Sequence, residues 1–275
     1  MLAASLCFGE SLLWQSPSPS PSEAAALLKV LCPGDVQLGS GAPDSLTGCK
    51  TCPEFTGESG ATSVFNLQTV TYGSFTASGV DEAVASFYDC ESHATGLGGS
   101  ILFRKKHGSW AMVDYKQGLL TSACHIYRLK TGRDLLLCDE KDFGMGTASH
   151  WIFVCDFSKK ATLLARSQTV FEVVDRRSGL LPEPTECGSI EKAALRDLNG
   201  DGMPDLTVWV VVRGGTFTSA EVPCKYTTSP PVQEQKLDFL FQQDTNTFVA
   251  APWSKALKER LYEMFRYDYE PPESH

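Results

Sequence analysis

Residues 196–208 read RDLNGDGMPDLTV. Side-chain oxygens fall on alternate residues, Asp197, Asn199 and Asp201; Gly202 follows, then Asp205, then the β-branched run LTVWVVV. Alternate residues of a tightly coiled loop turn their side chains to one centre, and Gly202 permits the bend that brings the later ones round. With the backbone carbonyl of Met203 the set is all oxygen, the donor type of which calcium takes six to eight at about 2.3–2.6 Å. Three carboxylates in so short a loop repel one another unless a cation joins them. An EF-hand needs a bidentate glutamate at position twelve and helices on both sides. Counted from Asp197, position twelve is Val208, inside a run of strand composition. The stretch therefore reads as a calcium-closed turn feeding a β-strand; the alternative is a metal-free hairpin held by Asx turns.

Working outward, the chain keeps the period of strands. VFNLQTVTYG, DEAVASFY, GGSILFRK, SWAMVDY, CHIYRLK, RDLLLCDE, SHWIFVCDF, ATLLARS, TVFEVVD, PDLTVWVVV and KLDFLFQQ are short, β-branched or aromatic, and bounded by turn residues. Such strands without intervening long helices predict an all-β sandwich, barrel or propeller. A weak repeat runs through them: SFTASGVDEAVASF (74–87), YRLKTGRDLLLCDE (127–140) and LRDLNGDGMPDLTVWV (195–210) each set a glycine two or three residues before an aspartate that opens an apolar strand. The glycines are Gly79, Gly132 and Gly202, spaced by about the length of one four-stranded blade. Any glycine-turned hairpin gives a similar pattern, which is the competing account. The first two copies lack the acidic set, offering Thr76, Ser78 and Asp81, and chiefly Asp134, so they are expected to be turns without metal.

The pattern D-x-N/D-x-D-G-x-x-D followed by a hydrophobic strand resembles the calcium loops of FG-GAP and VCBS repeats, the blade units of integrin α-chain propellers. The resemblance covers about fifteen residues strongly and the two degenerate copies weakly. It implies a loop joining two strands of a blade, with Asp197, Asn199, Asp201, the Met203 carbonyl and Asp205 as calcium ligands. The fold expected is an all-β, propeller-like stack of short antiparallel sheets, flanked by a short N-terminal and an amphipathic C-terminal helix. Closed propellers have about four to eight blades and three are visible. A blade hidden in residues 33–63, an unclosed stack, or closure by a second chain all remain open at this level.

The ends are read from local signals. SPSPSPS (16–22) reads as an extended, polyproline-type linker behind a short apolar start that resembles the remnant of a leader. Ser20 as N-cap, Pro21 at the first helical position and Glu23 as capping-box partner predict a helix that stops at Cys32-Pro33-Gly34. Leu257, Leu261, Met264 and Phe265 predict an amphipathic helix after Pro252. The organisation expected is a leader remnant and linker (1–22), a helix with an irregular cysteine-containing segment (23–63), a β-rich domain (64–252), and a helical tail (253–275).

With 24 Lys+Arg against 33 Asp+Glu, the net charge of −9 disfavours a nucleic-acid partner. No apolar run has the roughly 18 residues of a membrane-spanning helix. Ten cysteines point to an oxidising compartment, extracellular or periplasmic. The C-x-x-C at Cys49 and Cys52 lacks a second half for zinc, so both are expected to bond elsewhere, with Cys32 a candidate partner. Cys90 and Cys124 are the other expected disulfide; Cys124 and His125 are adjacent on a strand and point to opposite faces, so with His93 they make a poor metal site. No G-x-S-x-G elbow or triad order is present, and GLGGS (96–100) leads into a strand instead of a phosphate-binding helix. Four of the five tryptophans, Trp110, Trp151, Trp209 and Trp253, are expected in the core more than on sugar platforms. These readings favour a calcium-binding interaction module with a protein or carbohydrate ligand. Their alternatives are an extracellular hydrolase or lyase acting on polysaccharide, and an inhibitor or assembly factor that uses its sheet edges.

Overall fold

The computed structural model describes residues 13–37, 47–56, 65–88, 90, 98–144, 147–159, 169–176, 186–214 and 232–265. Helix α1 (Pro21–Leu31) starts as expected: the Ser20 side chain accepts from the Glu23 backbone N–H, and Glu23 reaches back to the Ser20 N–H at 2.9 Å. Three antiparallel sheets follow. The first orders β1 (Val36–Gln37), β2 (Gly48–Cys49), β3 (Phe65–Gly73), β4 (Glu82–Tyr88), β5 (Gly98–Lys106) and β6 (Ser109–Gln117). The second holds β7 (Cys124–Arg128), β8 (Asp134–Gly144), β9 (Thr147–Cys155) and β10 (Thr169–Arg176). The third holds β11 (Glu186–Arg196), β12 (Asp205–Gly214), β13 (Val232–Gln242) and β14 (Thr247–Ala250), before helix α2 (Lys255–Phe265). Each sheet is built on a run of four consecutive strands paired neighbour to neighbour. Within the irregular stretch after α1, β1 and β2 join the edge of the first sheet and form no sheet of their own among the described residues.

The second sheet is the middle layer, and this explains its sequence. In β8, Leu135 and Leu137 pack with Val208, Val210, Leu237 and Phe239 of the third sheet. Their neighbours Leu136 and Cys138 face the other way, onto Phe75, Val84 and Leu102 of the first. A strand buried on both faces cannot alternate with polar residues, hence the unbroken LLLC (135–138) and WIFVC (151–155). On its far side the first sheet closes on Leu27 and Leu28 of α1. It curls as it does so, bringing Tyr72 of β3 within 6.0 Å of Trp110 of β6, although β4 and β5 lie between them in strand order. Helix α2 buries Leu261 and Phe265 in the core between the second and third sheets, with Leu257 and Met264 packed against it.

Several expectations change. The Ser-Pro stretch is not a free linker at its start: Ser16 donates to Thr121 O at 2.9 Å, accepts from Cys124 N, and Pro17 O accepts from Val70 N, so the segment straps the first sheet to the second. Strand β11 was not expected. Its SIEKAAL core has helical composition, but Ala193 and Leu195 complete the apolar face opposite sheet two, and a full ladder to β12 outweighs local propensity. The strand expected at 161–167 lies outside the described residues.

Among the described residues the cysteines pair as Cys32–Cys49, Cys52–Cys90 and Cys124–Cys138. The Cys90–Cys124 pairing is thereby corrected. Cys138 stands directly opposite Cys124 in the β7–β8 ladder, which leaves Cys90 to Cys52. Cys155 is a free, fully buried thiol, and burial pushes its pKa up. No helix among the described residues is long and apolar enough to cross a membrane.

Candidate metal centre

The turn 197–204 joins β11 to β12. Gly200 and Gly202 stand at φ 78° and 81°, a region that side-chain-bearing residues avoid, and this lets the loop coil. Asp197 accepts from the N–H groups of Gly200 (2.7 Å) and Gly202 (2.9 Å), Asn199 from Asp201 N (2.9 Å), and Asp201 from Met203 N (2.7 Å). The Gly202 N–H, with that of Gly200, holds the Asp197 carboxyl below the usual carboxylate range despite some opposing burial. Asp205 is fully buried: one oxygen accepts from Leu198 N and the other from Phe241 N on β13. Met203 turns its side chain into the core between the second and third sheets.

All five expected ligands therefore lie in one turn, and their donors are oxygens throughout. Each side chain is oriented by backbone N–H groups. A carboxylate has about four lone-pair sites, so these bonds leave acceptor capacity on every one. The donor chemistry fits a hard divalent cation. In the arrangement seen, no three Asp, Glu, His or Cys side chains among the described residues converge to hold an ion; N–H groups provide the order instead.

The degenerate copies occupy the same place in their own sheets. Turn 74–81 joins β3 to β4 and turn 129–133 joins β7 to β8, with Gly79 and Gly132 at φ 73° and 80°. In each sheet a buried carboxylate opens the second strand of the four: Glu82, Asp134 and Asp205. In the first sheet this is not the expected Asp81, which is exposed, but its neighbour. The three differ in how their charge is met. Glu82 accepts from Thr76 and pairs with Arg104 at 2.7 Å. Asp134 pairs with Arg128. Asp205 has N–H donors only, and among the described residues neither it, Asp197 nor Asp201 has an ion pair with Lys or Arg. Lys130 of the second turn donates to the backbone carbonyl of Asp201 at 2.6 Å.

These turns form a row along one end of the stack. Arg133 donates to Phe75 O and to Asp156, the Tyr127 hydroxyl donates to Pro204 O at 2.6 Å, and Lys130 meets the third turn. Burial first, then the charges of Asp205 and Asp201, raise the Tyr127 pKa and keep it a donor. Sequence reasoning missed Arg104, Arg128 and Lys130, because their partners are set by sheet register and by stacking between sheets. Of the remaining candidates, His125 is exposed while Cys124 is buried, as alternation requires. Trp151 is core, Trp253 is 61% exposed, and His93 lies outside the described residues. No family model matches the chain, nor does any curated protein or solved structure compared with it.

Proposed function

We propose that this chain is a calcium-stabilised, β-rich binding module of FG-GAP/VCBS type that works in an extracellular or periplasmic space. One observation carries the calcium reading. Of three equivalent turns, two have their buried carboxylate paired with an arginine, and in the third none of Asp197, Asp201 and Asp205 has an ion pair with Lys or Arg among the described residues, the Lys130 ammonium meeting the Asp201 backbone carbonyl instead. A divalent ion held by Asp197, Asn199, Asp201, the Met203 carbonyl and Asp205 would supply the missing charge. It would fix the β11–β12 turn against β13, adding binding energy to folding stability. Three consecutive four-stranded meanders stacked face to face support the blade reading. Three disulfides among the described residues support an oxidising compartment.

The test is a melting curve of the full chain in chelator and in millimolar calcium, beside isothermal titration with calcium alone. A higher melting temperature in calcium, lost in Asp201→Ala, supports the reading. Identical curves with no heat of binding overturn it.

A further inference from the structure

The curl of the first sheet leaves an open cleft of about 480 Å³ at its mouth, between the β3–β4 turn and Lys105 and Trp110 of β5 and β6. Tyr72 and Trp110 form its aromatic wall, with centroids 6.0 Å apart and planes at 39°, and Tyr72 is 43% exposed. Lys105, Asp81 and Ser74 flank the rings. Ligand sites are commonly found in such mouths, where an apolar wall meets a few polar groups.

We propose that this cleft binds a pyranose unit of a neutral saccharide, stacked on Tyr72 and Trp110 and hydrogen-bonded through its hydroxyls to Lys105 and Asp81. The lining selects this class by elimination. The Lys105 ammonium already stands 5.6 Å from the Trp110 centroid, in the position that a cationic ligand would need. An anionic ligand meets Asp81 and, beside Tyr72, Glu23, whose carboxylate accepts the Tyr72 hydroxyl at 3.3 Å. A purely apolar ligand would leave the charged flanks desolvated and unpaired. A sugar ring offers an apolar C–H face to the rings and neutral hydroxyls to both charges. Asp81 is exposed, and Lys105 lines the cleft with its ammonium over the Trp110 ring.

The inference rests on the binding-module reading, but its site is separate from the calcium turn.

Affinity electrophoresis of the full chain in gels cast with hydroxyethylcellulose, laminarin, xylan or galactomannan tests it, with dextran sulfate as the anionic comparison. Retardation is expected in at least one neutral gel, weakened roughly tenfold or more by Trp110→Ala and by Tyr72→Ala. Asp201→Ala is expected to keep it, and an unmodified chain that is retarded but shows no response to calcium sinks only the calcium reading. Because Trp110 also packs on the core beneath, Tyr72→Ala decides alone if Trp110→Ala fails to fold. Retardation in dextran sulfate only, in no gel, or unchanged in a folded Tyr72→Ala variant overturns the proposal.

Discussion

Ser74 and Asp134, sixty residues apart, exchange two hydrogen bonds: the Ser74 N–H donates to the Asp134 carboxylate at 2.8 Å, and the Asp134 N–H donates to the Ser74 carbonyl at 2.8 Å. The end of β3 is thereby fixed to the start of β8, and one sheet's first turn is set against the next. Asp134 is fully buried and also carries the ion pair with Arg128. Asp134→Ala leaves the half-buried Ser74 N–H without its acceptor, so a loss of about 1–3 kcal/mol is expected in urea unfolding. Ser74→Ala, which keeps both backbone bonds, should cost far less.

The calcium turn is expected to respond to geometry as well as charge. At calcium about 100-fold above its Kd, the linkage contribution is about 2.7 kcal/mol, a rise of about 5 °C or more in Tm for a chain of this size. Gly202→Ala puts a Cβ on a backbone at φ 81° and should cost roughly 1–2 kcal/mol without calcium. Differential scanning calorimetry with and without chelator separates the two effects.

Acid should destabilise the stack through Asp156. Burial pushes this carboxyl up, but hydrogen bonds from Arg133 and Ser158, with the arginine charge, outweigh it, and its pKa is lowered in the folded state. A group depressed on folding contributes stability that is present above its unfolded pKa of about 4 and is lost as pH falls through the folded value. Melting temperature measured from pH 7 to pH 2 should therefore drop below about pH 4. Arg133→Gln should lower the plateau and flatten that drop, since it removes the contacts at 2.5 and 3.2 Å that hold the carboxylate charged.

Peptide mapping under non-reducing conditions should recover Cys32–Cys49, Cys52–Cys90 and Cys124–Cys138. Cys155, fully buried with its thiol pKa raised, should resist alkylation in the native protein and react once unfolded. Replacing Cys124 and Cys138 together by alanine should cost about 2–4 kcal/mol, the range for closing a loop of this length. Recovery of a Cys90–Cys124 peptide would contradict the register of β7 and β8.

What the sequence by itself determined is what neighbouring residues decide among themselves. The capping box at Ser20 and Glu23 started α1, and the 3.6-residue spacing of Leu257, Leu261, Met264 and Phe265 announced α2. Glycines at positive φ marked the first turn of each sheet, at Gly79, Gly132 and Gly202. The oxygen donors of 197–205 were legible because they sit within nine residues of one turn.

Only the tertiary structure decided which turns sit side by side and which charges are already met. Glu82 and Asp134 look in sequence like ordinary turn residues. Arg104 and Arg128 neutralise them because strand pairing sets Glu82 opposite Arg104 and Arg128 opposite Asp134. Burial on both faces of the middle sheet and the strap at Ser16 likewise follow from packing between sheets, and the choice of Cys138 over Cys90 for Cys124 follows from the register of β7 and β8. Capping, periodicity and backbone sterics act over a few residues and leave a mark in the sequence. Register and burial act between residues tens of positions apart, and no local pattern records them.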